Sequence, residues 1–514
     1  MQFQQLIDQI SSCYALEPEK KEGHAEITSI CADSKEVEKG ALFVCMPSKN
    51  TRTHDLLPEV KTKAAAACMV HSEEGYKKAC DLHIPVIYVP ESDHQFLSYL
   101  GHFCSLFYEN LTSKMKVIGI TGTKGKTTTS WILKQALETL GVRSAYIGSL
   151  GYHTSNSSEH LANTTPFPVE LWKFLNQADE EGVECIVMEA SSHGLLEKRL
   201  AGVRFDMGVF TNLTQDHLDY HPSMEEYANA KKLLFTEYAH ASKKPFISVL
   251  NADDLTAKRW MDDWDILGTL KDGRFLTFGL EEGDLRASYR DVDLHSLTLE
   301  LIYQGQKQIC KVPLGGIFNV SNSLCAAACL IGLGYSLPKV ASAMEQVKPA
   351  PGRFEPVPND QQIQIIVDHA HAPDALEKVL IAARKLDPKR VITVFGCGGD
   401  RDRTKRPKMA EIATRLSDLT IITSDNPRTE NPEQIIEEIK PGIVNGADYL
   451  VEVDRKKAVE LAIQCASQDD LVLIAGKGNE DYQIIGRTKI FMDDRVLARE
   501  ALKLKQSHFS VAKT

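Results

Sequence analysis

The residues with the clearest chemistry lie in the run Thr121-Gly-Thr-Lys-Gly-Lys-Thr-Thr128. Gly122 and Gly125 let the backbone turn so that successive N–H groups point at phosphate oxygens. Thr123, Lys124 and Thr128 complete the nucleotide-contacting set. Lys126 adds a point charge near the β- and γ-phosphates, and the Thr127 hydroxyl is suited to Mg2+. The longer form of this loop requires glycine at position 120, where Ile120 stands, so the match is to the shorter GxxGKT form. Lysine-rich turns can be merely solvated. Here an apolar strand precedes the loop and a helix follows it, which favours phosphate binding.

Two further runs follow in order. In Met188-Glu-Ala-Ser-Ser-His-Gly194 an apolar strand ends at Glu189, at the carboxyl end where open α/β sheets bind ligands. A carboxylate there can hold Mg2+ beside a γ-phosphate. Thr211-Asn-Leu-Thr-Gln-Asp-His-Leu-Asp-Tyr-His221 follows the next strand and offers His217. Taken singly, a Glu or His at a strand end is more often structural; behind a phosphate loop, the two together read as a metal-assisted site. Tyr227-Ala-Asn-Ala-Lys-Lys-Leu-Leu-Phe235 is amphipathic and helical, and by itself its Lys231 reads as a solvated lysine.

The elements that must position these groups alternate between strand and helix, which predicts an α/β fold with parallel sheets. Ala41–Val44 and Pro85–Pro90 are strand-like runs in a small α/β region. Lys116–Ile120, Glu184–Met188 and Phe205–Phe210 are strands of a central P-loop domain, with a helix from Thr127 to about Leu140. From about 245 to 313 the pattern turns polar and strand-like and predicts an antiparallel appendage, followed by a helix after Gly315–Asn322. Strands at Ile363–Val367, Arg390–Phe395, Leu419–Thr423 and Leu471–Ala475 predict a doubly wound, Rossmann-like third domain. Junctions at 111–116 and 348–353 divide the chain into domains 1–112, 113–346 and 347–514.

A chain of 514 residues suits several cores. With 43% hydrophobic and 25% charged residues it reads as globular. The net charge of -11 argues against nucleic acid or an anionic membrane as the main partner and leaves anionic small molecules, met by local Lys and Arg. The twelve cysteines are scattered without a CxxC pair, and Cys325 and Cys329 read as buried thiols in a helix, which fits a reducing compartment. The chain start has no basic-then-apolar leader and no run spans a bilayer. The expectation is a monomeric cytoplasmic protein.

TGTKGKTTT resembles the ATP loop of the Mur ligases and their folylpolyglutamate synthetase relatives, and the resemblance runs through the whole chain in the same three-domain order. It implies an ATP-dependent amide ligase working through an acyl phosphate, with ATP as co-substrate and two Mg2+ ions. It implies that Lys231 is carbamylated by CO2 and orients a second Mg2+; Lys232 is adjacent, and spacing favours Lys231. The implied catalytic set is Lys126, Glu189, His217 and Lys231, with Thr127, Glu189, His217 and Lys231 toward metal. Asn319, Arg353, Asp368 and His371 resemble ATP contacts from later segments, His369 standing where the family has Tyr.

Within the family, the resemblance is to the branch that extends UDP-N-acetylmuramoyl-L-alanyl-D-glutamate in peptidoglycan precursor synthesis. Ser34, Asn163, Thr164, Thr165, Ser191, Glu197 and Arg199 resemble contacts to that nucleotide substrate, Glu197 replacing a glutamine. Arg401, Asp425, Asn426, Pro427, Arg428, Gly476 and Glu480 resemble the pattern of enzymes adding meso-2,6-diaminopimelate, Asn479 replacing a histidine. A guanidinium at Arg428 can grip the distal carboxylate in bidentate fashion, a group lysine lacks. The competing readings are a lysine-adding ligase, a folate polyglutamylating enzyme, and a non-catalytic scaffold of the same fold.

Overall fold

Short, fully buried apolar strands set the architecture, because a strand covered on both faces reads as a continuous apolar run. The structure, a computed structural model, describes residues 1–14, 16–48, 52–262 and 273–511. It divides into two compact units, Met1–Arg286 with Cys325–Ser336, and Ala287–Leu324 with Leu337–Thr514. The expected α/β class is borne out.

In the first unit, strands β1 (Lys20–Glu22), β2 (Ser29–Cys31), β3 (Ala41–Val44), β4 (Ala67–Val70) and β5 (Val86–Tyr88) form a sheet in the order β1-β5-β4-β3-β2. Only the β1–β5 pair is antiparallel. Helix Phe3–Tyr14 buries Phe3, Leu6, Ile7 and Ile10, the spacing of one helical face.

The central sheet of the same unit is built from β6 (Lys116–Thr121), β7 (Ser144–Gly148), β8 (Gly151–His153), β9 (Ser158–Glu159), β10 (Cys185–Glu189), β11 (Met207–Phe210), β12 (Ile247–Asn251) and β13 (Arg274–Gly279). Their order is β13-β12-β11-β6-β10-β7-β8-β9. Strand β6 therefore lies between β10 and β11, with Glu189 paired to Ile120 and Phe210 to Thr121, so the carboxyl ends of all three strands stand abreast. The antiparallel appendage does not begin near 245: β12 and β13 continue the parallel sheet. β13 is only partly covered, and its alternating exposure imitates an antiparallel strand. Part of that expected appendage, residues 263–272, lies outside the described residues.

The chain passes to the second unit within β14 (Leu285–Arg290). Beyond it, β15 (Leu297–Tyr303) and β16 (Gln306–Val312) form the antiparallel hairpin that was expected. Helix Leu337–Met344 covers it, the Cys310 thiol reaching the Ala341 carbonyl at 3.3 Å. Helix Phe318–Gly332 has its residues divided between the two units.

The last sheet contains β17 (Glu355–Pro356), β18 (Gln364–Asp368), β19 (Val391–Phe395), β20 (Leu419–Ile422), β21 (Tyr449–Val451) and β22 (Leu471–Ala475), in the order β17-β18-β22-β19-β20-β21. All pairings except β17–β18 are parallel. Alternate residues of β22 serve two cores: Leu471, Leu473 and Ala475 pack with helix Lys405–Leu416, and Val472 and Ile474 with helices Arg455–Cys465 and Asp494–Val511. This is the doubly wound pattern expected of the third domain. A separate hairpin, β23 (Tyr482–Ile485) with β24 (Thr488–Phe491), follows β22. Among the described residues no helix is long and apolar enough to cross a membrane.

Candidate active site

The glycine-rich loop leaves β6 and enters helix Lys126–Thr139. Gly122 has φ +145°, and a Cβ there would lie 1.9 Å from Thr211 Oγ1, so no larger residue fits without moving β11. Gly125, at φ +84°, caps the helix and turns its first amides outward. The loop is laced to the segment after β11. Asn212 O accepts from Thr123 N at 2.8 Å, Asn212 Oδ1 from Lys124 N at 3.0 Å, and Thr214 N donates to Thr123 Oγ1 at 3.0 Å. Lys126 Nζ folds over the loop and donates to the carbonyls of Gly122 at 2.8 Å and Thr123 at 3.0 Å.

Glu189 ends β10 beside this loop, 1% exposed. Its carboxylate accepts from Thr127 Oγ1 at 3.1 Å, Ser149 N at 3.0 Å, Ser149 Oγ at 3.4 Å and the Tyr146 hydroxyl. These donors fix the buried carboxylate in one orientation. Sequence reasoning found Glu189 but missed Tyr146 and Ser149, whose residue types are ordinary in a strand and a turn.

Lys231 lies on helix Met224–Lys232, 1% exposed, and Nζ donates to Gly122 O at 2.9 Å. The amine also sits 4.3 Å from the centroid of the Tyr227 ring. Burial, with Lys126 nearby, holds its pKa well below the ordinary ammonium value despite Asp216. Its neighbour Lys232 is only half-buried, so Lys231 is the lysine directed at the loop.

His217, at φ +53°, follows Asp216, whose carboxylate accepts the His217 N–H at 3.0 Å and lies 3.4 Å from Lys124 Nζ. Burial lowers the His217 pKa, Lys126 and Lys231 lower it further, and Asp216 opposes them. The His193 ring lies 5.0 Å from that of His217 and 5.5 Å from that of His221, centroid to centroid. Among the described residues no three His, Cys, Asp or Glu side chains converge as a metal cage. The donor set is instead one carboxylate and one hydroxyl beside a phosphate-type loop. That composition suits Mg2+, which takes few protein ligands and completes its shell with water and phosphate.

Of the substrate candidates, Thr164 Oγ1 lies 3.0 Å from Ser149 Oγ, and Thr165 Oγ1 donates to the Glu189 carbonyl at 2.8 Å. Ser191 caps helix Ser192–Leu196 and its hydroxyl is 2.9 Å from Thr165 Oγ1. Arg199 donates to Thr165 O at 2.9 Å, stacks 4.1 Å from the Phe167 ring centroid and pairs with Glu197 at 2.7 Å. Glu197 thus spends its charge on Arg199, with the Tyr220 hydroxyl on its other oxygen at 3.0 Å. Asn163 is half-buried in the same segment. Ser34 lies far along the chain, in the turn before β3, where its carbonyl accepts from Lys63 Nζ at 2.7 Å.

The remaining candidates belong to the second unit. Asn319 is buried, donating to Gly315 O at 2.6 Å and accepting from Asn322 at 2.9 Å. Asp368 ends β18 and accepts the Phe354 N–H at 2.7 Å; burial raises its pKa, with Arg353 opposing. Among the described residues Arg353 Nε is buried without a partner. His371 Nδ1 bonds the His369 carbonyl at 2.8 Å and His369 Nδ1 the Lys477 carbonyl at 3.0 Å, so both rings are oriented by backbone.

The segment after β20 and the segment after β22 form one network. Asn426 Nδ2 donates to Glu480 Oε2 at 2.8 Å, and Asn426 Oδ1 accepts from Ile484 N at 2.9 Å and Lys477 Nζ at 3.3 Å. Lys477, whose side chain is fully buried, also reaches Glu480 at 3.2 Å. Among the described residues Asp425 Oδ2 is buried without a partner; Gly476 has φ +120°, which favours glycine, and a Cβ there would crowd Asp425 Oδ2 at 2.5 Å. Pro427 leads into Arg428, at φ +52°, whose backbone is latched to β23 through Ile484 O at 3.0 Å. Its Nη1 donates to Gly399 O at 2.9 Å and Asn426 O at 3.4 Å. Arg401 stands apart: it is exposed and donates to the Asp400 carbonyl at 3.3 Å. Lys477 was missed from sequence because a lysine between two glycines reads as solvated.

Comparison with known proteins matches residues 120–330 to the Mur ligase middle domain and 352–478 to the Mur ligase, glutamate ligase domain. A protein of Geobacillus thermodenitrificans named UDP-N-acetylmuramoyl-L-alanyl-D-glutamate--2,6-diaminopimelate ligase is 38% identical over 485 residues, 94% of this chain and 96% of its own. One of the same name from Bacillus velezensis is 40% identical over 491 residues, covering 95% and 96%. A solved structure of a ligase so named aligns with TM-score 0.65 at 30% identity, over 93% of this chain and 95% of that one.

Proposed function

The chain belongs to the Mur ligase family, and on that premise we propose that it joins meso-2,6-diaminopimelate to UDP-N-acetylmuramoyl-L-alanyl-D-glutamate at the expense of ATP. The observation that carries the choice of amino acid is one loop cluster holding both a guanidinium, Arg428, and a carboxylate, Glu480, linked through Asn426. Such a pair complements the distal end of diaminopimelate, which carries a carboxylate and an ammonium on the same carbon. Lysine offers the ammonium alone.

The glycine loop receives ATP, its outward amides and Lys126 on the phosphates. Lys126 releases its two loop carbonyls to follow the γ-phosphate. Thr127 and Glu189 and, at a second position, His217 and carbamylated Lys231 would hold Mg2+, which when bound would supply positive charge that lets two anions approach. The neutral amine of Lys231 adds to CO2, forming an N–C bond and shedding one proton, and so becomes a carboxylate. Arg199 and Ser191 orient the nucleotide substrate with Asn163, Thr164 and Thr165, and Ser34 meets the uridine end.

A carboxylate oxygen of that substrate takes the γ-phosphoryl group, giving an acyl phosphate and ADP. The diaminopimelate amine then attacks the acyl carbon; the C–O bond to phosphate breaks, and phosphate leaves with one oxygen from the acid. Positioning and charge carry most of the acceleration. Asn319, Arg353, Asp368 and His371 contribute to the ATP side. Residues 1–112, 113–346 and 347–514 divide the work among uridine, ATP and amino acid. The enzyme acts as a cytoplasmic monomer on small molecules, in keeping with twelve free thiols.

The test is turnover of purified protein with ATP, the muramoyl dipeptide and a panel of amino acids. Diaminopimelate should be consumed far faster than lysine. Comparable rates would overturn the specificity, and no substrate-dependent ADP release with any amino acid would overturn the ligase reading.

A further inference from the structure

We propose that Arg455 is the positioning residue of the amino-acid site, with Asp494 fixing its guanidinium so that it ties together the two loops that grip the substrate. The inference rests on the reading of residues 425–428 and 476–480 as that site. Strands β20 and β22 are not neighbours, since β19 lies between them. No strand pairing joins them directly; β19 bonds to both, and the loops that follow them are bridged by side chains.

Arg455 supplies one such bridge from beneath, beside those made by Asn426 and Gln483. Its side chain has no exposed surface, and neither has that of Asp494. Nε and Nη2 form a bidentate pair with Asp494 at 2.8 and 2.7 Å. The remaining donors go to two main-chain carbonyls: Nη1 to Ser424 O at 3.3 Å and Nη2 to Ala475 O at 3.0 Å. Ser424 immediately precedes Asp425, and Ala475 immediately precedes Gly476. One rigid fork thus reaches the last residue before each substrate loop.

Arg455 has no local reason to be there. It opens helix Arg455–Cys465, where a cation opposes the helix dipole and an anion is favoured. The helix cap is already provided by Asp454, which accepts from Lys456 N and Lys457 N. A buried ion pair is also a poor device for stability alone, because apolar replacement commonly serves as well. Lysine cannot reproduce the link, having no planar fork to serve a carboxylate and two carbonyls together.

The test compares Arg455→Lys with Arg428→Lys in the full-length enzyme, measuring KM for diaminopimelate, ATP and the muramoyl dipeptide, kcat and the melting temperature. Displacement of a gripping loop by about an ångström should raise the diaminopimelate KM by about tenfold or more, leaving the other two within about twofold. If Arg455→Lys does not fold, the double variant Arg455→Met with Asp494→Leu removes both buried charges and should show the same selective rise. A lower melting temperature with all three KM values unchanged would overturn the positioning role. A rise for Arg428→Lys without one for Arg455→Lys would sink this inference and spare the site assignment. No rise in either would sink both.

Discussion

Replacing Arg428 with alanine tests the specificity argument most directly. In the structure Nη1 is committed to the carbonyls of Gly399 and Asn426, at 2.9 and 3.4 Å, and among the described residues no acceptor takes Nε or Nη2. That edge is the one able to grip a carboxylate with two parallel bonds. A hydrogen bond to a charged group contributes about 1.5–3 kcal/mol net. Arg428 is half-buried, so the grip as a whole is worth about 2–3 kcal/mol, toward the low end for two bonds. Each 1.36 kcal/mol is a factor of ten, so kcat/KM for diaminopimelate should fall roughly 30- to 150-fold. Lysine makes no such bond, and its kcat/KM should change by less than about threefold. The assay is initial-rate phosphate release under each amino acid at saturating ATP and dipeptide, with the melting temperature as a check on folding. Equal losses for both amino acids would refute the reasoning, because they would mean that Arg428 holds the loop rather than the distal carboxylate.

Lys126→Ala should lower kcat by at least about a hundredfold through loss of charge at the transferring group, with an unchanged melting temperature, as measured by ADP formation; retained turnover would remove the loop from the chemistry. Enzyme stripped of CO2 should lose activity and regain it with bicarbonate, and Lys231→Ala should not respond, in rate assays under argon. Oxygen-18 placed in the substrate carboxylate should appear in released phosphate, read by mass spectrometry; its absence would exclude an acyl phosphate. His54 and His102 are both pushed down to about 4, chiefly by burial, so between pH 6.5 and 4 the unfolded chain binds more protons than the folded one. The stability these neutral rings contribute is fully present above pH 6.5 and is lost as pH falls toward 4. His102→Phe should flatten that slope in thermal melts.

How much of this was legible in sequence depended on burial. Ala41–Val44 and Leu471–Ala475 match to the residue because parallel strands covered on both faces leave unbroken apolar runs. The antiparallel region was begun too early because Arg274–Gly279 is partly exposed, and its pattern carries no sign of strand direction. The places of Glu189 at the end of β10 and His217 in the segment after β11 were legible from the strands before them. What the sequence could not state was the order β10-β6-β11, which alone brings the carboxyl ends of three strands together.

Charged residues mark the other boundary of legibility. Spacing favours Lys231 over the adjacent Lys232, and the structure adds the Gly122 carbonyl, contributed from 109 residues away. Lys477 and Arg455 have the composition of solvated residues, yet their side chains have no exposed surface. The partners include main-chain carbonyls, Gly122 for Lys231, Ser424 and Ala475 for Arg455 and the nearby Tyr482 for Lys477, groups every residue possesses and no motif records. For Arg455 the two carbonyls come from the segments that leave β20 and β22, and the carboxyl ends of parallel strands are one place where such groups converge. The carboxyl edge that gathers the ligand-facing residues therefore also gathers the hidden cations behind them. Buried Lys and Arg beneath such an edge are better read as part of the site than as accidents of packing.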